Sequence, residues 1–494
     1  MLQRATHLPA FNDANLIRTE AYVNGAWVAA DSNATFPVND PATGKLLANV
    51  PNLGAAETKR AIAAADAAFP LWSGKTAKER AGVMRKWFDL LLLHQDDLAA
   101  LMTAEEGKPL AEARGEVVYG ASFIEWFAEE GKRVAGDTLA SPQADKRMVV
   151  LKQPIGVCAA ITPWNFPLAM ITRKVAPAIA AGCTIVIKPA EQTPLTALAM
   201  AELAHRAGFP PGVLNVVTCD GANSIEAGKA LCESTIVKKL SFTGSTAVGR
   251  ILMAQCAPTI KKLSMELGGN APFIVFDDAD LDAAVEGAVA SKYRNTGQTC
   301  VCTNRFYVQD TIYDAFVAKL AAKAKALKVG SGFDEGVQQG PLIDDAALKK
   351  VEEHVANAKA HGAKVLTGGQ RHANGGRYYE PTVLADVTSA MLVANEETFG
   401  PVAPVFRFKD EKEAIALANA TEFGLAAYFY SRDIGRVWRV AEALESGMVG
   451  INTGIMSNEV APFGGVKQSG LGREGSTYGI EDYLEIKYLC FGGL

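Results

Sequence analysis

From Lys146 onward this sequence keeps exchanging short β-branched runs for longer helical ones, and that alternation narrows its possible folds more than any other feature. The stretch "KRMVVLKQPIGVCAAITP" holds two β-rich runs around Pro154. After it, "TIVIKPA" reads as a strand, "TALAMAELAHRAG" as a helix, "GVLNVVT" as a strand and "IVKKLSFTGS" as a strand feeding a turn. Strands separated by crossover helices pair in parallel, so the alternation implies a doubly wound α/β sheet. A second βα-rich region begins near "APFIVFDDADLDAAVEGAVASKY" and runs to about residue 460, while helical spacing dominates Ala55 to Gly131. At 494 residues the chain exceeds one ordinary core, and two or three domains are expected. The tail "GIEDYLEIKYLCFGGL" alternates like an exposed strand able to pair with another subunit.

Composition excludes several functions. A net charge of −5 leaves no basic face for nucleic acid. The longest nearly uncharged apolar run, Val175 to Ile187, is broken by Pro177 and Gly182 and falls short of the roughly 20 residues a membrane helix needs. The first residues lack an apolar signal core, so a cytoplasmic protein is expected. Eight cysteines, at 158, 183, 219, 232, 256, 300, 302 and 490, form no disulfide framework and read as free thiols. No histidine lies near the one close pair, Cys300 and Cys302, so no metal site is expected.

Two segments look like dinucleotide fingerprints. "GLGREG", Gly470 to Gly475, matches the glycine spacing, but only nineteen residues follow it, too few for a βαβ unit; it reads as a loop. "SFTGSTAVGR" is better placed, with a strand, then Gly244 and Ser245, then a helix from about Thr246, so that backbone donors would face a pyrophosphate. Its spacing departs from the standard motif. In "NTGQTCVCTNR" the Gly-Gln-Thr lead-in suits a Cys300 presented into a cleft.

Seven segments in order, "ITPWNFP", "IKPAEQTP", "FTGST", "MELGGN", "GQTC", "EETFGPV" and "PFGGVKQSG", resemble the aldehyde dehydrogenase superfamily over nearly the whole chain. "KYRNTGQTCVCTNR" and "SGLGREGSTYGIEDYLEIKYLC" are similar to its succinate semialdehyde dehydrogenase branch. The resemblance implies a Rossmann-type cofactor domain over 1–137 and 158–267, an α/β catalytic domain over 268–462, and a β oligomerisation arm from 138–157 and 463–494. A homodimer or homotetramer is then expected.

It also implies roles. Cys300 is the expected nucleophile, Glu266 the base that activates water against a thioester, and Asn165 the oxyanion donor, with capping of the following helix as its other reading. The cofactor, NAD with NADP as a weaker possibility, is expected on Trp164, Asn165, Lys188, Glu191, Gly244, Ser245, Leu267, Glu397 and Phe399, with Lys174 on the nicotinamide side. Arg173 and Arg294 are each tethered to a catalytic residue, eight positions after Asn165 and six before Cys300, and an arginine fork suits a distal carboxylate. Ser457 and Asn458 offer further polar groups to that acid. Succinate semialdehyde is the expected substrate; glutarate semialdehyde is its close competitor, and a nicotinamide-independent cysteine esterase the rival from another class. Thr453 stands where other members have a glutamate. Cys302 is expected to act as a redox partner, a resolving thiol beside an oxidised Cys300.

Overall fold

The computed structural model of the chain describes residues 11 to 493. Its first sheet runs in the spatial order Ala26–Val28, Ala21–Val23, Leu214–Val216, Thr184–Lys188, Val157–Ile161, Val237–Thr243, Lys262–Glu266 and Gly470–Leu471. The five central strands are parallel, with antiparallel strands at both edges. Every residue of Val157–Ile161 and Thr184–Lys188 is buried, as expected of strands covered on both faces. Successive side chains feed opposite cores. Ile185 and Ile187 join one cluster with Trp72, Trp87 and Leu198, whereas Val186 joins Val157, Ala159 and Leu240 on the other side.

Chain order steps one way from Val157–Ile161 through Thr184–Lys188 to Leu214–Val216, then resumes on the opposite side at Val237–Thr243. The reversal opens a crevice at the carboxyl ends of these strands, where ligands of doubly wound sheets bind. Asn165, Lys188, Gly244 and Glu266 all lie at or just beyond those ends.

The second sheet orders Lys364–Thr367, Thr382–Ala385, Val402–Phe408, Thr303–Gln309, Ala271–Val275, Ala426–Tyr430 and Met448–Ile451; all are parallel except the first. Leu267 to Asn270 carries the chain from the carboxyl end of Lys262–Glu266 into the amino end of Ala271–Val275. Cys300 sits just before Thr303–Gln309, again at an amino end. The carboxyl edge of one sheet thus meets the amino edge of the other around Cys300.

Helices fill Ala55 to Glu130 in four segments, Ala55–Ser73, Ala77–Leu93, Gln95–Glu106 and Leu110–Glu130. The tail strand Leu484–Gly492 pairs along its whole length with Lys146–Pro154 of the same chain, which in turn pairs with Asp137–Leu139. One edge of the tail is therefore satisfied internally, and the other is the outer edge of this three-stranded sheet. "GLGREG" opens with the two-residue strand Gly470–Leu471 beside Met265 and Glu266, then turns. Among the described residues, no helix is long and apolar enough to cross a membrane.

Candidate active site

The loop that presents Cys300 is held in an unusual shape. Asn295, Thr296 and Gly297 follow one another with φ of 49°, 57° and 77°, the left-handed region that costs non-glycine residues about 1–3 kcal/mol each. Buried partners enforce it. The Asn295 N–H donates to Glu112 Oε2 (2.8 Å), its side-chain amide donates to the Asn165 carbonyl (3.0 Å), and Gln298 Oε1 accepts from the Ile343 N–H (3.0 Å). A Cβ on Gly297 would strike the Gly400 carbonyl, and one on Gly269 would lie 2.6 Å from the Cys300 carbonyl, so glycine is required at both close approaches.

Cys300 is half-buried in a cavity that Tyr119, Phe166, Met170, Arg173, Arg294 and Phe463 also line. Burial pushes its thiol pKa up to about 12, opposed by the positive charge of Arg173 and reinforced by Glu397, Glu266 and Cys302. The protein alone thus favours the thiol over the thiolate. Asn165 is buried, and its Nδ2 donates to the Gln298 carbonyl (3.0 Å), which ties it to the Cys300 loop. It does not cap the helix Ala169–Ala181. Glu116 Oε1 takes that role, accepting from the N–H groups of Leu168 (3.0 Å) and Ala169 (3.2 Å). Lys108 in turn bridges Glu116 (2.6 Å) and the Asn165 carbonyl (2.7 Å).

Glu266 is buried at the end of its strand, and neither carboxyl oxygen has a hydrogen-bond partner among the described residues. Burial first, then the charge of Glu474, drive its pKa far above the ordinary carboxylate range, against Arg173, Lys174 and Arg473. Glu474 was missed in the sequence because it lies in the turn of "GLGREG". Its carboxylate is ion-paired to Arg173 (2.7 Å) and hydrogen-bonded to Lys174, and these cations hold its own pKa below the usual value despite burial. Lys174, expected toward the nicotinamide, is therefore engaged with Glu474.

The two arginines differ. Arg173 is 1% exposed, paired with Glu474, and stacked 3.7 Å from the Phe463 ring centroid. Arg294 has no ion-pair partner among the described residues; its guanidinium lies 4.8 Å from the Phe166 ring centroid and faces the cavity. Ser457 lines the cavity too, whereas Asn458 spends its side chain on its own loop, accepting from Val460 and Ala461 N–H and donating to Met456. Thr453 does the same within its turn, donating to the Ile455 carbonyl. Cys302 is buried, with its thiol toward the Lys292 and Arg294 carbonyls.

The remaining residues lie at the carboxyl ends of the first sheet's strands and in the segment Glu396 to Phe399. Ser245 caps the helix Thr246–Cys256 through the Val248 N–H. The Gly244 N–H donates to the Glu266 carbonyl, and Leu267 packs where a side chain on Gly249 would go. Lys188 lies 3.6 Å from Glu191 in an ion pair. Glu397 Oε1 accepts from the Gly269 N–H (3.2 Å), and burial raises its pKa to about 7. Phe399 has a φ of 56° and meets Trp164 edge-on, with centroids 5.6 Å apart. A glycine-lined helix start, a ribose-sized carboxylate and a facing aromatic pair fit a nicotinamide dinucleotide.

Residues 27–489 match the aldehyde dehydrogenase family. A glutarate-semialdehyde dehydrogenase of Pseudomonas aeruginosa is 66% identical over 482 residues, spanning 98% of this chain and 99% of that protein. An Escherichia coli protein named succinate-semialdehyde dehydrogenase NADP(+) GabD is 64% identical over 97% of this chain and 99% of its own. The crystal structure of succinate-semialdehyde dehydrogenase from Burkholderia pseudomallei superposes with a TM-score of 0.97 at 68% identity, covering 98% of this chain and all of that one.

Proposed function

This chain belongs to the aldehyde dehydrogenase family, and on that premise we propose that it oxidises succinate semialdehyde to succinate with reduction of NAD(P). Cys300 releases its thiol proton to solvent and attacks the aldehyde carbon as the thiolate, forming a thiohemiacetal. Asn165 Nδ2 and the Cys300 N–H stabilise the oxygen that becomes negative; one such donor is worth about 3–4 kcal/mol. A bound nicotinamide would supply the acceptor for the hydride that leaves this carbon. Cys300 is then a thioester, and Glu266, in its ionised form, removes a proton from the water that attacks it. The C–S bond breaks, the thiolate returns and the diacid leaves. Trp164, Gly244, Ser245, Leu267, Glu397 and Phe399 would hold the dinucleotide, and Lys188 and Glu191 would serve its adenine ribose.

The observation that carries the substrate assignment is Arg294, a cation in the Cys300 cavity with no ion-pair contact among the described residues, lining that cavity with Ser457. A distal carboxylate supplies the missing charge. Asn458, exposed and engaged in its own loop, supports that loop, and Ser457 is the better donor. Glutarate semialdehyde is a second reading, favoured by the name of the Pseudomonas aeruginosa relative; one methylene is worth only about 1–3 kcal/mol. Steady-state kcat/KM with succinate, glutarate and malonate semialdehydes and with butanal tests the assignment. Succinate semialdehyde should rank first; equal rates with butanal would remove the acid subsite, and hydrolysis of a p-nitrophenyl ester without nicotinamide, with no aldehyde oxidation when NAD is added, would favour the esterase.

NAD is the preferred cofactor, because Glu191 can accept from ribose hydroxyls and repels a 2′-phosphate. Lys188 beside it offsets part of that repulsion, so NADP retains some activity. Glu191→Ser should narrow the gap. The three-stranded sheet exposes Leu139, Leu151, Ile486, Tyr488 and Phe491, which supports its role as an oligomerisation arm. Light scattering should give a dimer or tetramer. Eight free cysteines fit a reducing, cytoplasmic setting.

A further inference from the structure

We propose that His354 is a positioning residue that braces the cofactor clamp Glu397 and Phe399, an inference that rests on the assignment of those two residues to the dinucleotide. Glu396 to Phe399 leaves the short helix Leu392–Asn395 in extended form at Glu396 (φ −114°, ψ 143°). Successive side chains of this segment point to opposite sides. Glu397 and Phe399 face Gly269 and Trp164. Glu396 and Thr398 face the helix Asp345–Ala360, where one imidazole meets both.

His354 is 1% exposed. Its Nδ1 lies 3.0 Å from Thr398 Oγ1, and its Nε2 lies 3.4 Å from Glu396 Oε2. A carboxylate only accepts, so Nε2 carries the proton, and Nδ1 accepts the Thr398 hydroxyl proton. One neutral tautomer therefore satisfies both contacts. Burial, with Lys350, lowers the imidazole pKa, against Glu396 and Glu353, in keeping with that neutral form.

The brace has something to hold. Phe399 is an aromatic residue at φ 56°, a conformation that persists only where its surroundings over-determine it. Gly400, next in the chain, packs so tightly on Val351 of the His354 helix that no Cβ fits. Helix and clamp therefore share one packed contact, and the imidazole supplies its directional part. Nothing in the reaction uses His354, and it touches neither Cys300 nor Glu266.

The test uses the full-length protein and four variants. NAD dissociation constants come from quenching of tryptophan fluorescence, and Cys300 is alkylated with iodoacetamide in the absence of dinucleotide. His354→Leu should raise the NAD Kd about tenfold, the effect of one buried partner lost, and raise KM for NAD in step, while Cys300 alkylation stays at the wild-type rate. His354→Asn, whose amide oxygen reaches roughly the place of Nδ1, should restore most of the affinity. Thr398→Val, isosteric but without the hydroxyl, should reproduce the loss and serves if His354→Leu does not fold. Glu397→Gln reports on the clamp itself. Wild-type Kd in both His354→Leu and Thr398→Val, with Glu397→Gln weakened, would overturn the brace alone. Wild-type Kd in Glu397→Gln as well would overturn the clamp and the brace together.

Discussion

Replacing the two cavity arginines one at a time should give a substrate-selective loss at Arg294 and a general loss at Arg173, although both line one cavity. Arg294→Met keeps an unbranched side chain over Phe166 but removes a cation that makes no ion-pair contact among the described residues. A charge-assisted hydrogen bond to a carboxylate is worth about 1.5–3 kcal/mol, so kcat/KM for succinate semialdehyde should fall roughly 10- to 150-fold. Butanal, equal in carbon number and lacking the acid, should be spared. Arg173→Met instead breaks a fully buried pair with Glu474, leaving that carboxylate to Lys174 alone. Breaking a buried pair costs about 3–5 kcal/mol of stability, with the lower end expected because Lys174 remains. It also removes the charge that holds down the pKa values of both Cys300 and Glu266, so attack and hydrolysis both suffer. Butanal and succinate semialdehyde should therefore decline together, with a lowered Tm. The assay is kcat/KM for the two aldehydes at saturating NAD, beside thermal melts. If Arg173→Met spared butanal as fully as Arg294→Met does, the pairing with Glu474 would not be what Arg173 does. Equal losses on both aldehydes in Arg294→Met would make that arginine structural as well.

Glu266→Gln should form the thioester and stall, with a burst of one NADH per subunit and a steady rate about 10²- to 10⁴-fold lower; a full steady rate would assign hydrolysis elsewhere. Glu397 titrates at about 7 when folded and near 4.5 when unfolded, so within that window only the folded protein holds its proton. Wild-type stability without cofactor should fall relative to Glu397→Gln as pH rises from 4.5 to 7, and a constant difference in melting temperature across that range would refute the assignment. Mild peroxide followed by dithiothreitol should inactivate and then restore wild type, whereas Cys302→Ser should be active but recover incompletely. Cys302 must first turn from the Lys292 and Arg294 carbonyls, so equal recovery with no 300–302 linked peptide would leave it as packing.

Much of the fold was legible because it rests on neighbours in the chain. The β-rich runs at Val157–Ile161 and Thr184–Lys188, the helix read from "TALAMAELAHRAG" and the turn at Gly244 and Ser245 before a helix at Thr246 are local choices of backbone and side chain, and they emerged close to their expected positions. Family motifs likewise pointed to Cys300, Glu266, Asn165, Glu397 and Phe399, since each sits in a short recognisable string. The ionic surroundings were not legible. Glu474 lies 300 positions from Lys174, and nothing local marks a glutamate in a glycine-rich turn as the counter-charge of a buried arginine. Nor does "WNFP" reveal that Glu116, about fifty residues upstream, caps the helix start that Asn165 was free to cap. The sequence by itself determined the strands, the helices and which residue types can do thiol chemistry. Only the tertiary structure decided which arginine is paired with Glu474 and which of the carboxyls Glu266 and Glu474 has its pKa raised. Desolvation and counter-charges depend on what packs against a group in space, and long-range packing leaves no periodic trace along the chain.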